Sequence, residues 1–234
     1  MIVRDVSIFT NDNRFIEKGY IRVESGLIKE VSDGIPADTK EEVYSFPEKL
    51  LMPGLVNTHT HIYSAFSRGM PLENFSPNTF TELLEQMWWK LDRALTMKGN
   101  ELSAYLTAIE SMKSGITTLI DHHSSPNAVG GSLDSISNAV NKVGLRCSTC
   151  FEVSDRNGQM VRDESIKENF RFARTKNIFR APYIGLHASF TLSDETLKLI
   201  ADINKGGIPV HVHVAEGPED EENSVSIHGK RVVQ

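Results

Sequence analysis

Two pairs of histidines carry most of the chemistry in the sequence. His59-Thr-His61 closes an apolar run that begins at Leu51, and His211-Val-His213 closes another that begins at Ile208. In a strand, residues i and i+2 face the same side, so each pair presents two imidazoles together. Neutral imidazole suits zinc or iron, and two on one face can share a single cation. One His-x-His alone is as readily two polar residues at a strand end. A second pair at the end of another apolar run is what raises the metal reading. Three residues after His213 comes Glu216, in His-Val-Ala-Glu.

Elements that could bring these residues together follow from the hydrophobic pattern. Residues 1–50 read as short strands, with a hairpin from 20–24 and 27–31 around Ser25-Gly26. From residue 51 apolar strands at 51–57, 116–121, 145–151, 183–187 and 208–214 alternate with helical stretches at 79–94, 99–114, 134–142, 164–175 and 193–203. Ser193 reads as a helix cap and Gly144 as a helix stop. Such alternation predicts a parallel sheet with helices packed outside it, a (β/α) barrel. In a barrel, functional residues gather at the C-terminal ends of the strands, however far apart they lie in sequence. The acidic stretch 218–224 reads as a solvated loop. Trp88 and Trp89, at helical spacing from Leu84 and Leu91, read as packing residues.

Composition excludes several classes. The 234 residues are 39% hydrophobic and carry a formal net charge of −6, so no basic face advertises nucleic acid or an anionic membrane. No stretch approaches the roughly 18 consecutive apolar residues of a membrane span. The first residues, with Arg4 and Asp5, lack a signal peptide's apolar core, which predicts a cytoplasmic protein. Cys147 and Cys150 form a Cys-x-x-Cys, but on a predicted strand they face opposite sides, so buried inert thiols are expected.

PGLVNTHTH (53–61) followed by IYSAFSRGM, then GITTLIDHH (115–123), GLHASFTLS (185–193) and HVHVAEG (211–217), resemble strand ends one, two, four and five of the amidohydrolase superfamily. The resemblance is to the branch of cytosine and guanine deaminases and chlorotriazine hydrolases, within it most to the SsnA-type putative aminohydrolases. It implies a (β/α)8 barrel over 51–234, with about five of its eight strands present. It also implies that 1–50 form part of a small β-sandwich. It further implies one divalent cation, zinc before iron, held by His59, His61 and His213, and a catalytic Glu216 that shuttles a proton. A fourth ligand (an Asp) and a second catalytic His would lie beyond Gln234, so the chain is expected to be the N-terminal portion of a longer enzyme.

His187 ends strand four, where related enzymes line the pocket, and is the first candidate for substrate contact, with Ser189 second. Arg68, in a loop after strand one, is a candidate to hold an anionic or carbonyl group. His211, one layer below His213, reads as a hydrogen-bonded core histidine. Of His122 and His123 only one can face inward. The expected reaction is hydrolytic deamination of a nitrogen heterocycle. The alternatives are dechlorination or cyclic-amide hydrolysis at the same site, and a non-catalytic piece that needs a complementary chain. Expected partners are a small heterocycle and water, with a homo-oligomer open for the full-length protein.

Overall fold

The computed structural model describes residues 1–37, 40–175 and 177–234. Contacts divide the chain into two compact units, Met1–Gly54 and Leu55–Gln234. In the first unit β1 (Ile2–Phe9), β2 (Phe15–Glu24), β3 (Leu27–Asp33) and β4 (Val43–Ser45) line up in the order β3-β2-β1-β4, and the short β5 (Leu50–Leu51) also pairs with β1. The β2–β3 hairpin turns at Ser25-Gly26, both at positive φ, as the sequence predicts. Val6, Ile8 and Ile21 form the buried face of this mixed sheet.

The second unit holds a five-stranded parallel sheet in sequential order. Its strands are β6 (Leu55–Thr60), β7 (Ile116–His123), β8 (Arg146–Val153), β9 (Ile184–Leu186) and β10 (Val210–Val212). This is the barrel-type sheet predicted from the strand–helix alternation. Its outer strands leave Leu55, Val56, Val210 and Val212 exposed. Helices connect successive strands: α1 (Phe80–Leu83), a π turn at Leu84–Trp88, α2 (Trp89–Ala94), α3 (Met97–Lys113), α4 (Ser132–Val143), α5 (Gln159–Ala173) and α6 (Asp194–Ile203), with α7 (Pro218–His228) after β10.

Local chemistry explains the boundaries. Ser193 Oγ accepts the Thr196 N–H at the start of α6, and Gly144 ends α4 at φ 104°, both as predicted. On α4, Leu133, Ile136 and Val140 recur at helical spacing on one buried face. Ile136, Ala139 and Val140 pack with Leu119, Cys147 and the α3 alanines Ala104 and Ala108. A second core joins Val153, Ile184 and Leu186 to Ile166 of α5 and Ile200 of α6.

β8 and β9 approach closely. A Cβ on Gly185 would stand 2.4 Å from the Phe151 carbonyl oxygen, so only glycine fits there. Asn169 of α5 ties this edge down, its Oδ1 accepting from the Phe151 N–H at 2.9 Å and its Nδ2 donating to the Phe151 carbonyl at 2.7 Å. The acidic stretch predicted as a loop is instead roughly the first two turns of α7. Pro218 sits at its start, and Glu219, Asp220 and Glu221 lie near the positive end of the helix dipole, where acids stabilise. α7 ends at Gly229, which sits in the left-handed region at φ 67°.

Candidate active site

Each parallel strand delivers a polar group to its C-terminal end. β6 supplies His59 and, just beyond it, His61; β7 ends in His122 and His123; Glu152 is near the end of β8; His187 follows β9 and His213 follows β10. His59, His61 and His213 offer ligand nitrogens that all lie within 4.8 Å of one another. The Nδ1–H of His61 donates to the His122 carbonyl at 2.8 Å, and that of His213 to the His187 carbonyl at 3.0 Å. With both protons placed on Nδ1, the two Nε2 lone pairs face each other at 3.2 Å. Facing lone pairs repel unless a cation lies between them. Zinc–nitrogen bonds of about 2.0–2.1 Å in a tetrahedron put neighbouring nitrogens roughly 3.3 Å apart. The spacing fits that donor set.

Burial favours the neutral, ligating form of His59 and His61. His59 is lowered to about 4, chiefly by burial, with His61, His213 and His211 adding to the effect. His61 is lowered by burial against its bond to the His122 carbonyl. The His59 ring is oriented by His211, whose Nε2 lies 3.0 Å from His59 Nδ1. His211 is thus a hydrogen-bonded neighbour of the group, as predicted. His122 and His123 are both fully buried, but only the His122 ring joins the histidine cluster, 4.5 Å from that of His213 between centroids. His123 turns to Ser125 at 2.7 Å.

Asp121 holds the turn after His61, accepting the Ile62 N–H at 2.7 Å and the Thr149 hydroxyl at 2.8 Å. Burial nevertheless raises its carboxyl to about 7.

A cleft of about 90 Å³ opens beside the histidines, lined by His61, His213, His187 and Glu216 and also by Trp88 and Trp89. The two tryptophans therefore face the site, contrary to the packing role predicted for them. Glu216 follows Ala215, which is held in the left-handed region at φ 55° while its N–H donates to Asp220 at 2.6 Å. Its carboxyl is raised, first by burial and further by Glu152 and Asp220, against the pull of His213. His187 Nδ1 lies 2.6 Å from the Thr191 hydroxyl, and its Nε2 is 4.0 Å from Glu152.

Two candidates stand elsewhere. Arg68 is exposed and paired with Glu110 at 2.6 Å, outside the lining of this cleft. The Ser189 hydroxyl donates to Asp220, so it steadies the loop that carries Glu216.

Sequence reasoning missed the charged floor of the cleft. Arg156 donates to Asp92, to Glu152 at 2.7 Å and to Ser124 at 3.1 Å, while the Trp89 ring covers its guanidinium at 5.1 Å. All three charged side chains are at most 7% exposed. Burial would raise the Glu152 carboxyl, but His187 and Arg156 outweigh it and hold it low. The one available signal was the spacing Glu152-x-x-x-Arg156 just past a strand end.

The buried histidines make stability fall in acid. Burial takes His123 to about 3 and His122 well below its usual value, whereas both titrate near 6.5 when unfolded. Between pH 6.5 and 4 the unfolded chain binds protons that the native state refuses. Their contribution is full above 6.5 and lost as pH falls. Asp121 works oppositely: its raised carboxyl favours the native state below its unfolded value of 3.8, and that contribution is lost as pH rises through about 7. Asp92 and Glu216 are raised as well, but His59, His61, His187 and His211 are depressed along with His122 and His123, so the histidines outnumber the raised acids. The melting temperature of metal-free protein is expected to fall by roughly 10 °C or more from pH 7 to 4.5. A flat or rising profile by circular dichroism would refute the assignment.

The comparisons agree with this fold. Residues 50–234 match the amidohydrolase family. A 5-methylthioadenosine/S-adenosylhomocysteine deaminase of Shouchella clausii is 27% identical over 247 residues, covering 100% of this chain and 54% of the relative. The chain thus spans about half the length of the curated relatives it matches. Guanine deaminase from C. acetobutylicum, solved with bound guanine, superposes with a TM-score of 0.82 at 16% identity, over 97% of this chain and 56% of that one. Atrazine chlorohydrolase TrzN from Arthrobacter aurescens TC1, complexed with zinc, gives 0.78 at 18% identity over 99% and 56%. No helix among the described residues is long and apolar enough to cross a membrane. With a sequence match from residue 50 to residue 234 and histidines at the ends of parallel barrel strands, this chain belongs to the amidohydrolase family.

Proposed function

We propose that the protein carrying this chain is a metal-dependent hydrolytic deaminase acting on an amino-bearing nitrogen heterocycle. The observation that carries the reading is the pair of Nε2 lone pairs of His61 and His213 facing at 3.2 Å beside the cleft. His59, His61 and His213 would hold the cation, with zinc the expected metal and iron compatible with the same donors. When bound, the cation acidifies water and so supplies a nucleophile at neutral pH.

Glu216 takes the proton from the attacking water and returns it to the ring nitrogen and then to the departing amine. Its raised carboxyl suits both directions of transfer near neutrality. His187, fixed through Thr191, turns its Nε2 side toward the cleft floor as a contact for the heterocycle. Trp88 and Trp89 line the same cleft and offer it apolar ring surface. In the same reading residues 1–50 are part of a β-sandwich, and the remaining ligand and base come from residues beyond this chain.

Displacement of chloride is the second reading. Chloride leaves without a proton, whereas an amine needs one, so a carboxyl poised to donate favours deamination. The test is metal analysis of the full-length protein together with ammonia release over a purine, pyrimidine and triazine panel. Bound metal and ammonia from at least one ring class are expected. Absence of both overturns the proposal, and chloride release alone selects the second reading.

A further inference from the structure

A second group of metal-ligating side chains lies deeper in the sheet and shares no ligand with the first. His122 ends β7, Cys150 is its direct partner in register on β8, and His211 lies on β10. Cys150 Sγ is 3.6 Å from His122 Nδ1 and 3.8 Å from His211 Nδ1. One ligand atom from each of the three lies within 4.8 Å of the others. Zinc bonds of about 2.3 Å to sulfur and 2.0–2.1 Å to nitrogen, at tetrahedral angles, separate the two donors by roughly 3.5 Å. The spacings found are close to that.

We propose that His122, Cys150 and His211 form a second metal site, for a thiophilic cation of the zinc, cadmium or cuprous class.

Three further features support the site. His122 and Cys150 are wholly buried and His211 partly, so a cation there would meet water from the His211 side alone. The His122 ring is poorly satisfied by the protein. Its Nε2 is buried with no hydrogen-bond partner among the described residues, and its Nδ1 meets only the thiol, a weak partner. His211, by contrast, directs Nδ1 at the sulfur while its far nitrogen is held by His59 Nδ1 at 3.0 Å. One proton serves both of these nitrogens, so His211 ligates through Nδ1 when its Nε2–H donates to His59, which then has no Nε2 lone pair for the first group: the two groups hold metal alternately, not together. The Asp121 carbonyl oxygen also lies 3.6 Å from the sulfur. Binding forms one metal–sulfur bond, and the thiol proton leaves to solvent. A mixed sulfur and imidazole donor set selects soft cations, unlike the all-nitrogen group above it.

The rival account is a plain chain of S–H···N hydrogen bonds with no affinity for metal. Cadmium distinguishes them, because only thiolate ligation gives sulfur-to-cadmium charge-transfer absorption in the ultraviolet. Metal-stripped protein is titrated with cadmium alone, in the wild type, Cys147→Ser and Cys150→Ser. The band is expected in the wild type and in Cys147→Ser, saturating at one thiolate-bound cadmium, and is expected to vanish in Cys150→Ser. No band in the wild type, or a band that survives Cys150→Ser, overturns the proposal. Should Cys150→Ser fail to fold, cadmium X-ray absorption of the wild type at two equivalents decides. A sulfur neighbour supports the site, and nitrogen and oxygen neighbours alone overturn it.

Discussion

Glu216→Gln is expected to keep its fold and its metal while kcat falls by roughly 10²–10⁴, the usual worth of a positioned acid–base group. The substitution preserves shape and removes only the capacity to take and give a proton. Little else should change, because the Glu216 side chain is only partly covered in the cleft and makes no side-chain hydrogen bond among the described residues. Its position is set by the backbone: Ala215 in the left-handed region turns the chain, and Asp220 fixes that turn through the Ala215 N–H and the Ser189 hydroxyl. Glutamine would occupy the same place. Stopped-time ammonia release from the full-length protein, with metal content measured on the same samples, checks this. Activity within a few-fold of wild type would remove Glu216 from the proton path, whereas loss of metal would make it a structural residue of the centre.

What the sequence revealed and what it hid have physical causes. His59, His61 and His213 were legible because a strand's two-residue period and the clustering of barrel strand ends turn spacing into proximity. Glu216 had no such local signature, and only the family resemblance separated it from the acidic residues that follow. Asp92 and Arg156 were hidden because their pairing joins a helix after β6 to a loop after β8, a contact that no periodicity encodes. Trp88 and Trp89 misled for a related reason. They sit where a π turn hands over to α2, so an ordinary helical wheel assigns them to a packing face while both line the cleft. The start of α7 was readable in principle. Proline followed by three acids is a helix N-terminus as much as a solvated loop, and charge alone had favoured the loop.

Arg156→Met is expected to cost roughly 3–5 kcal/mol, because it strands two buried carboxylates that a single guanidinium now serves. Asp92 and Glu152 are 2% and 5% exposed, and Arg156 between them is 7% exposed. Burial already raises the Asp92 carboxyl against the pull of Arg156, so Asp92 is the group that takes up a proton once the guanidinium is gone. Glu152 would lose Arg156 while still facing His187. For a protein of this size the loss corresponds to a melting temperature lower by roughly 6–20 °C. Arg156→Lys should recover only part of it: Asp92, Glu152 and Ser124 all meet the one nitrogen Nη2, which an ammonium can replace, but the lysine loses the guanidinium's stacking on Trp89. Charge and packing separate in the triple variant Arg156→Met with Asp92→Asn and Glu152→Gln. Without stranded charges that protein should regain most of the lost stability. Its cleft would still lack the cation beneath Trp89, so substrate affinity should stay impaired even where the fold recovers. Thermal melts of the three variants read the first effect, and KM in the full-length protein reads the second. A single Arg156→Met variant that melts within about 2 °C of wild type would show that the buried charges are balanced by something other than this guanidinium.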